Sequence, residues 1–94
     1  MIYEYPYSIE DYHGEDYDDS DYIVLSVKYD LNDDSDREYL ATKCAEDHRR
    51  NGGYEDRGWM EGEYPLKFWI WVDKETKFGY DVWCEMSPSF YVRG

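Results

Sequence analysis

The alternation of apolar and polar residues predicts three strands. Residues 22–29, YIVLSVKY, are rich in β-branched side chains and alternate along their length. Residues 66–73, LKFWIWVD, and 77–86, KFGYDVWCEM, alternate in the same way and are joined by a short polar turn at 74–76. This spacing predicts an antiparallel hairpin formed by the second and third strands.

Residues 35–50 have the pattern of one amphipathic helix. Ser35 and Glu38 have the spacing of a capping box, so we expect Ser35 to begin the helix. The apolar side chains recur at helical spacing and form one narrow stripe, made of Leu40, Ala41, Cys44, Ala45 and His48. Two arginines followed by NGG at 51–53 favour an end there.

These elements predict an α+β fold, in which a single helix packs on a small, mainly antiparallel three-stranded sheet in the order strand, helix, strand, strand. The N-terminal IYEYPYSI is a candidate fourth strand, and Pro6 favours an edge position for it. The C-terminal SFYVRG is expected to be a tail that packs through Phe90 or Val92. We expect a single domain over 1–94, with an acidic, tyrosine-rich segment at 1–21 and a compact core at 22–94.

The composition is consistent with a small domain that has an aromatic core. The chain has 94 residues with 12 Tyr, 4 Trp and 3 Phe, whose large buried areas compensate for few aliphatic side chains. Cys44 and Cys84 lack C-x-x-C spacing, which favours two core thiols over one disulfide. Because the sequence shows no secretory leader and no apolar run of about 18 residues, we expect a soluble, intracellular protein.

The net charge of -13 excludes polyanionic partners such as nucleic acid and anionic membranes, and it favours basic ones. The charge is concentrated near the N-terminus, where the first 36 residues contain 12 carboxylates and Lys28 as the only basic residue. Its centre is the run IEDYHGEDYDDSDY at 9–22, which has seven carboxylates and neither lysine nor arginine.

Neither catalysis nor an EF-hand is predicted. His13 is expected to be solvated, with its protonated form favoured by the flanking carboxylates, and His48 to be packed or to cap the helix. No nucleophile or phosphate-loop motif is present, so we expect no enzyme and no cofactor. EF-hand registers that start at Asp16 or Asp30 place the wrong residues at positions 6 and 12, which leaves only weak divalent cation binding as an alternative.

The acidic run is predicted to be a partner-binding surface. In an extended chain, alternate carboxylates lie about 6 to 7 Å apart, similar to the phosphates of one nucleic-acid strand. Interleaved tyrosines could stack on guanidinium groups of a partner. The predicted binding residues of the run are Glu10, Asp11, Tyr12, Glu15, Asp16, Tyr17, Asp18, Asp19 and Asp21, and Asp33, Asp34 and Asp36 extend the surface. The alternatives are a disordered or merely solubilising segment.

Three tryptophans are predicted to lie on the sheet face opposite the helix. Trp69, Trp71 and Trp83 alternate with the residues that face the helix. They form either a second partner patch or a surface covered by the N-terminal tyrosines, and cover by the chain itself is favoured.

The chain resembles, as a class, the small acidic proteins encoded by phages and other mobile elements, among them anti-CRISPR proteins and DNA mimics. The resemblance lies in length, charge, the run EDYHGEDYDDSDY and the fold of one helix with a small sheet. It implies a non-enzymatic inhibitor in the cytoplasm of a bacterial host cell. Such an inhibitor would bind a basic DNA- or RNA-binding protein, above all a CRISPR effector complex, and exclude DNA. The alternative is an adaptor that docks or self-associates through the tryptophans.

Overall fold

The computed structural model describes residues 1–51, 64–85 and 89–92, which form one helix on an antiparallel sheet. The elements are β1 (Tyr3–Ile9), β2 (Asp21–Leu25), α1 (Asp34–Asn51), β3 (Leu66–Trp71), β4 (Lys77–Glu85) and β5 (Ser89–Val92), with a 3-10 turn at Tyr17–Asp19. The described residues form a sheet of five strands in the order β2-β1-β3-β4-β5. The predicted α+β class, the helix and the β3–β4 hairpin are confirmed, and the predicted tail forms the additional strand β5.

β1 lies inside the sheet, between β2 and β3, so the prediction of an edge position is wrong. Pro6 is tolerated because the pairing of β1 with β3 begins only at Tyr7, and the missing N–H removes no bond from that ladder. Tyr5, Tyr7 and Ile9 are buried in the core. The predicted acidic segment at 1–21 therefore contributes a central strand.

β2 ends at Leu25, four residues earlier than predicted. Beyond it the chain is held by the hydroxyl of Tyr5, which donates to the carbonyl of Val27 (3.2 Å) and accepts from the N–H of Tyr29 (2.6 Å). The Tyr5 hydroxyl thus forms hydrogen bonds with backbone groups that would pair with a neighbouring strand if β2 were longer.

The N-cap of α1 is Asp33, and the predicted capping role of Ser35 is wrong. The Asp33 carboxylate accepts from the N–H groups of Ser35 (2.8 Å) and Asp36 (3.3 Å). A carboxylate one residue before the helix satisfies two backbone donors that have no partner within the helix, and it also interacts favourably with the helix dipole.

The core lies between α1 and the inner face of the sheet, as the alternation predicted. Phe68, Ile70 and Val82 are fully buried, and they meet the helix stripe of Leu40, Ala41, Cys44 and Ala45. Phe90 and Val92 of β5 pack against this core. Cys44 and Cys84 are separate thiols, and burial raises the pKa of the Cys44 thiol.

Candidate partner-binding surface

Residues 10–20, called the acidic loop below, connect β1 to β2 in a folded rather than extended conformation. The carbonyl of Ile9 accepts from the N–H groups of Tyr12 (3.1 Å) and His13 (2.9 Å), and Asp11 adopts a left-handed conformation (φ 66°). The 3-10 turn at Tyr17–Asp19 shortens the rise to about 2.0 Å per residue. The predicted extended conformation, with phosphate-like spacing of its carboxylates, is therefore wrong.

His13 fixes the first half of the acidic loop. Its Nδ1 accepts from the N–H of Ile9 (2.9 Å), and its ring meets those of Tyr7 and Tyr12 edge-on, with centroids 6.0 Å and 4.8 Å away. Tyr12 also contacts the ring of His48, at the end of α1 (5.4 Å). Desolvation lowers the pKa of His13 despite the nearby carboxylates. The prediction of a solvated, protonated His13 is wrong.

Tyr17 fixes the second half of the acidic loop to the outer face of the sheet. Its ring meets Trp71 edge-on at 5.5 Å, and Trp71 is only 4% exposed. The indole Nε1 of Trp71 donates to the Oγ of buried Ser8 (3.0 Å). The favoured prediction, cover by an N-terminal tyrosine, is thus correct for Trp71, which lies within the fold rather than on an open patch.

Lys77 connects the acidic loop to the tryptophans on the outer face of the sheet. Its Nζ donates to the carbonyl of Glu15 (2.9 Å) and lies 4.7 Å and 5.0 Å from the ring centroids of Trp69 and Trp71. A cleft of about 270 Å³ lies between the loop and Trp69, and Lys77 is part of its lining. The loop is thus attached to the sheet by a hydrogen-bonded ammonium group that also makes cation–π contacts.

Gly79 provides the space for Trp69. A Cβ atom at this position would lie 2.9 Å from both the Cδ of Lys67 and the Cζ3 of Trp69. Trp69 therefore lies half-buried across β4, with Lys67 Nζ 5.5 Å from its ring centroid. Trp83 is also half-buried, farther along β4.

The carboxylates of the acidic run point to solvent. The exposed set is Glu10, Asp11, Glu15, Asp16, Asp18, Asp19 and Asp21. Within the part of the chain that the structure describes, none of them forms an ion pair, and the ion pairs there are Arg37 with Asp34 and Lys43 with Glu46. Tyr12 is 43% exposed beside them. The structure thus brings the charged residues predicted from the run together on one anchored loop, except for Asp21, which begins β2.

The second group of predicted carboxylates stabilises the fold. Asp33 caps α1, and Asp36 accepts from the N–H of Asp30 (2.7 Å). Asp34 accepts from the Tyr80 hydroxyl (2.8 Å) and from Nη2 of Arg37 (3.3 Å). These contacts engage all three side chains within the protein, although Asp33 and Asp34 remain exposed.

Arg37 was not predicted from the sequence, although it organises this second group. It is 8% exposed, its Nε donates to the Tyr80 hydroxyl (2.7 Å), and its Nη1 donates to the carbonyl of Leu31 (2.9 Å). Its guanidinium lies 4.0 Å from the ring centroid of Phe78. The only sequence signal was a basic residue in the otherwise acidic first turn of the helix.

Among the residues described, no three His, Cys, Asp or Glu side chains converge into a metal-binding group. Within the same residues, no helix combines the length and the apolar character that crossing a bilayer requires. Comparison with family models, with characterised proteins and with solved structures found no match to this chain.

Proposed function

We propose that this protein is a non-enzymatic inhibitor that binds a basic nucleic-acid-binding protein and thereby excludes its nucleic acid. One observation carries the proposal: the acidic loop is held to the fold at His13, Tyr17 and Glu15, while its carboxylates face solvent. A loop that is held in place with its carboxylates exposed is better suited to recognise a partner than to act only as a solubilising tail.

The anchoring lowers the entropic cost of binding. A loop that is already ordered loses less conformational freedom when it meets a partner than a disordered acidic segment would. The concentrated charge also accelerates the encounter with a basic groove by electrostatic steering. Competition with nucleic acid then rests on charge density, since the loop is folded rather than extended like a nucleic-acid strand.

CRISPR effector complexes are the first partners to test, because the resemblance to anti-CRISPR proteins points to them. Restriction enzymes and other basic DNA- or RNA-binding proteins belong to the same chemical class. In the alternative, adaptor function, the contacts would come from Trp69 and Trp83, since Trp71 is covered.

Charge reversal in the acidic loop tests the proposal. We expect the variant Glu15→Lys/Asp16→Lys/Asp18→Lys to lose inhibition of DNA binding by a panel of CRISPR effector complexes. The association rate should fall by about tenfold or more at low salt, because steering is lost. Mobility-shift competition and biolayer interferometry across a NaCl series measure the two effects.

A matched control variant distinguishes the effect of charge in the acidic loop from the effect of the net charge of the protein. The variant Glu38→Lys/Glu75→Lys/Asp81→Lys has the same net charge but leaves the acidic loop intact, so it should retain inhibition. Equal loss in both variants, or inhibition that survives the loop reversal, would overturn the proposal. Inhibition that depends on Trp69 but not on the loop carboxylates would favour the adaptor function.

A further inference from the structure

Exposed apolar side chains gather along one edge of the sheet. Tyr22 and Val24 of β2 are 56% and 48% exposed, and Val27 just beyond the strand is 55% exposed. Ile2, at the start of the neighbouring chain segment, is 71% exposed. Large exposed apolar side chains concentrated in one place are typical of an interaction surface.

Within the described residues, no strand lies on the side of β2 away from β1. Among the described strands, β2 is the first in the sheet order and has β1 as its neighbour. Tyr22 lies opposite Pro6, and its N–H donates to the Asp21 carboxylate (2.8 Å). Because backbone groups alternate between the two sides of a strand, the N–H and C=O groups of Tyr22 and Val24 face away from β1.

The charge around this edge favours a basic occupant. β2 follows the acidic loop directly, so exposed Asp19 and Asp21 lie at its beginning. Glu4 is exposed and pairs with Val24, which places its carboxylate on the same outer face. A second copy of this acidic chain would bring like charges together, whereas a lysine- or arginine-bearing segment would neutralise them.

We propose that β2 accepts an extended segment of the basic partner as an added strand. The segment would pair with the backbone of Tyr22 and Val24 and place apolar side chains on theirs. Its basic side chains, on the opposite face, would lie toward Asp21 and the neighbouring Asp19. Strand addition of this kind combines backbone hydrogen bonds with side-chain specificity on alternate positions. The inference rests on the proposed function for the basic character of the partner and adds its mode of binding.

Amide hydrogen exchange of the full chain, measured by NMR, tests the pairing. The probe is a short capped peptide of alternating lysine and valine, and its control is the same peptide N-methylated at alternate amides, which keeps the charge but cannot form the ladder. We expect the unmodified peptide to slow exchange of the Val24 amide by about tenfold or more. The Tyr22 amide should be slowed as well, once the peptide carbonyl replaces Asp21. The methylated peptide should produce neither effect.

Three results would overturn this inference. The first is absence of binding by the unmodified peptide at millimolar concentration, and the second is equal binding of both peptides without slower exchange at Val24. The third is protection of Val24 in peptide-free protein that sediments as a dimer, which would assign the edge to a second copy. Inhibition is measured by competition with nucleic acid, and pairing at β2 by amide exchange. The loop reversal variant leaves Tyr22 and Val24 unchanged. Failure of the proposed function is therefore distinguishable from failure of the proposed strand addition.

Discussion

The imidazole of His13 contacts the rings of Tyr7 and Tyr12, although acidic residues surround it in sequence. Opposing effects meet at this position, since burial and the neighbouring His48 disfavour the imidazolium, whereas Asp21 and Asp19 favour it. Desolvation is the largest effect and lowers the pKa. The bond from the Ile9 N–H to Nδ1 requires that nitrogen to be unprotonated, so geometry and desolvation agree.

We predict that acidification weakens the attachment of the acidic loop through His13. Because the folded-state pKa is below the usual 6.5, His13 contributes stability above that value, and the contribution is lost as pH falls through the folded-state pKa. NMR titration of the His13 ring, assigned by its absence in His13→Gln, should give a midpoint below 6.5. A midpoint above this value would show that the carboxylates dominate.

At the scale of elements, α1 begins with a cap that belongs to the preceding turn. Asp33 accepts from two helix N–H groups, and Arg37 with Tyr80 then holds the first turn of the helix to β4. The sequence contains several aspartates close together, so local spacing alone did not identify the capping residue. The hydrogen bonds at Asp33 identify it, since its N–H donates to the carbonyl of Asp30 (3.0 Å) and its carbonyl accepts from the N–H of Arg37 (3.0 Å).

We predict that Asp33→Ala lowers the free energy of unfolding by about 1 kcal/mol, because two N–H groups lose their acceptor. The matched variant Ser35→Ala removes a side chain within the first turn and should change stability by less than about 0.5 kcal/mol. Urea denaturation followed by circular dichroism measures both. If Ser35→Ala lowers the free energy of unfolding more than Asp33→Ala does, Ser35 is the capping residue, as the sequence predicted.

At the scale of the whole molecule, the fold accommodates a large excess of negative charge. The net charge is -13, and the ion pairs among the described residues involve Arg37 and Lys43. Lys77 is used instead to hold the acidic loop through a backbone carbonyl and two indole rings. The exposed loop carboxylates therefore repel one another, and this repulsion opposes the compact state.

We predict that salt stabilises this protein. The Debye length falls from about 30 Å at 0.01 M to about 3 Å at 1 M, which screens repulsion between exposed carboxylates. The melting temperature should rise by several degrees over this range, since 1 kcal/mol corresponds to roughly 4 to 8 °C for a domain of this size. Differential scanning calorimetry in NaCl measures the change.

The loop reversal variant Glu15→Lys/Asp16→Lys/Asp18→Lys provides the control for the salt dependence. Its net negative charge is smaller, so its melting temperature should rise less with salt. If the melting temperature of both proteins rises equally with salt, the effect is general salt stabilisation and not the screening of repulsion in the acidic loop.

The strands and the helix were largely predictable because their signal is local. Alternation identified Phe68, Ile70 and Val82 as inward-facing, and helical spacing identified the stripe that meets them. The charged residues of the acidic run were also evident from composition. The position of β1 was not predictable in this way, because the acceptability of Pro6 depends on where the pairing with β3 begins.

The sequence by itself determined the α+β class, the buried face of the hairpin and the concentration of charge near the N-terminus, since each follows from residue type and local period. The tertiary structure decided that the acidic loop is folded rather than extended, that Trp71 is covered by Tyr17, and that β2 lies at the edge of the strands described. These features depend on contacts between residues distant in sequence, such as Lys77 with Glu15 and Trp71 with Ser8. No local pattern specifies such pairs, because they form only when the strands have brought both partners to the same face.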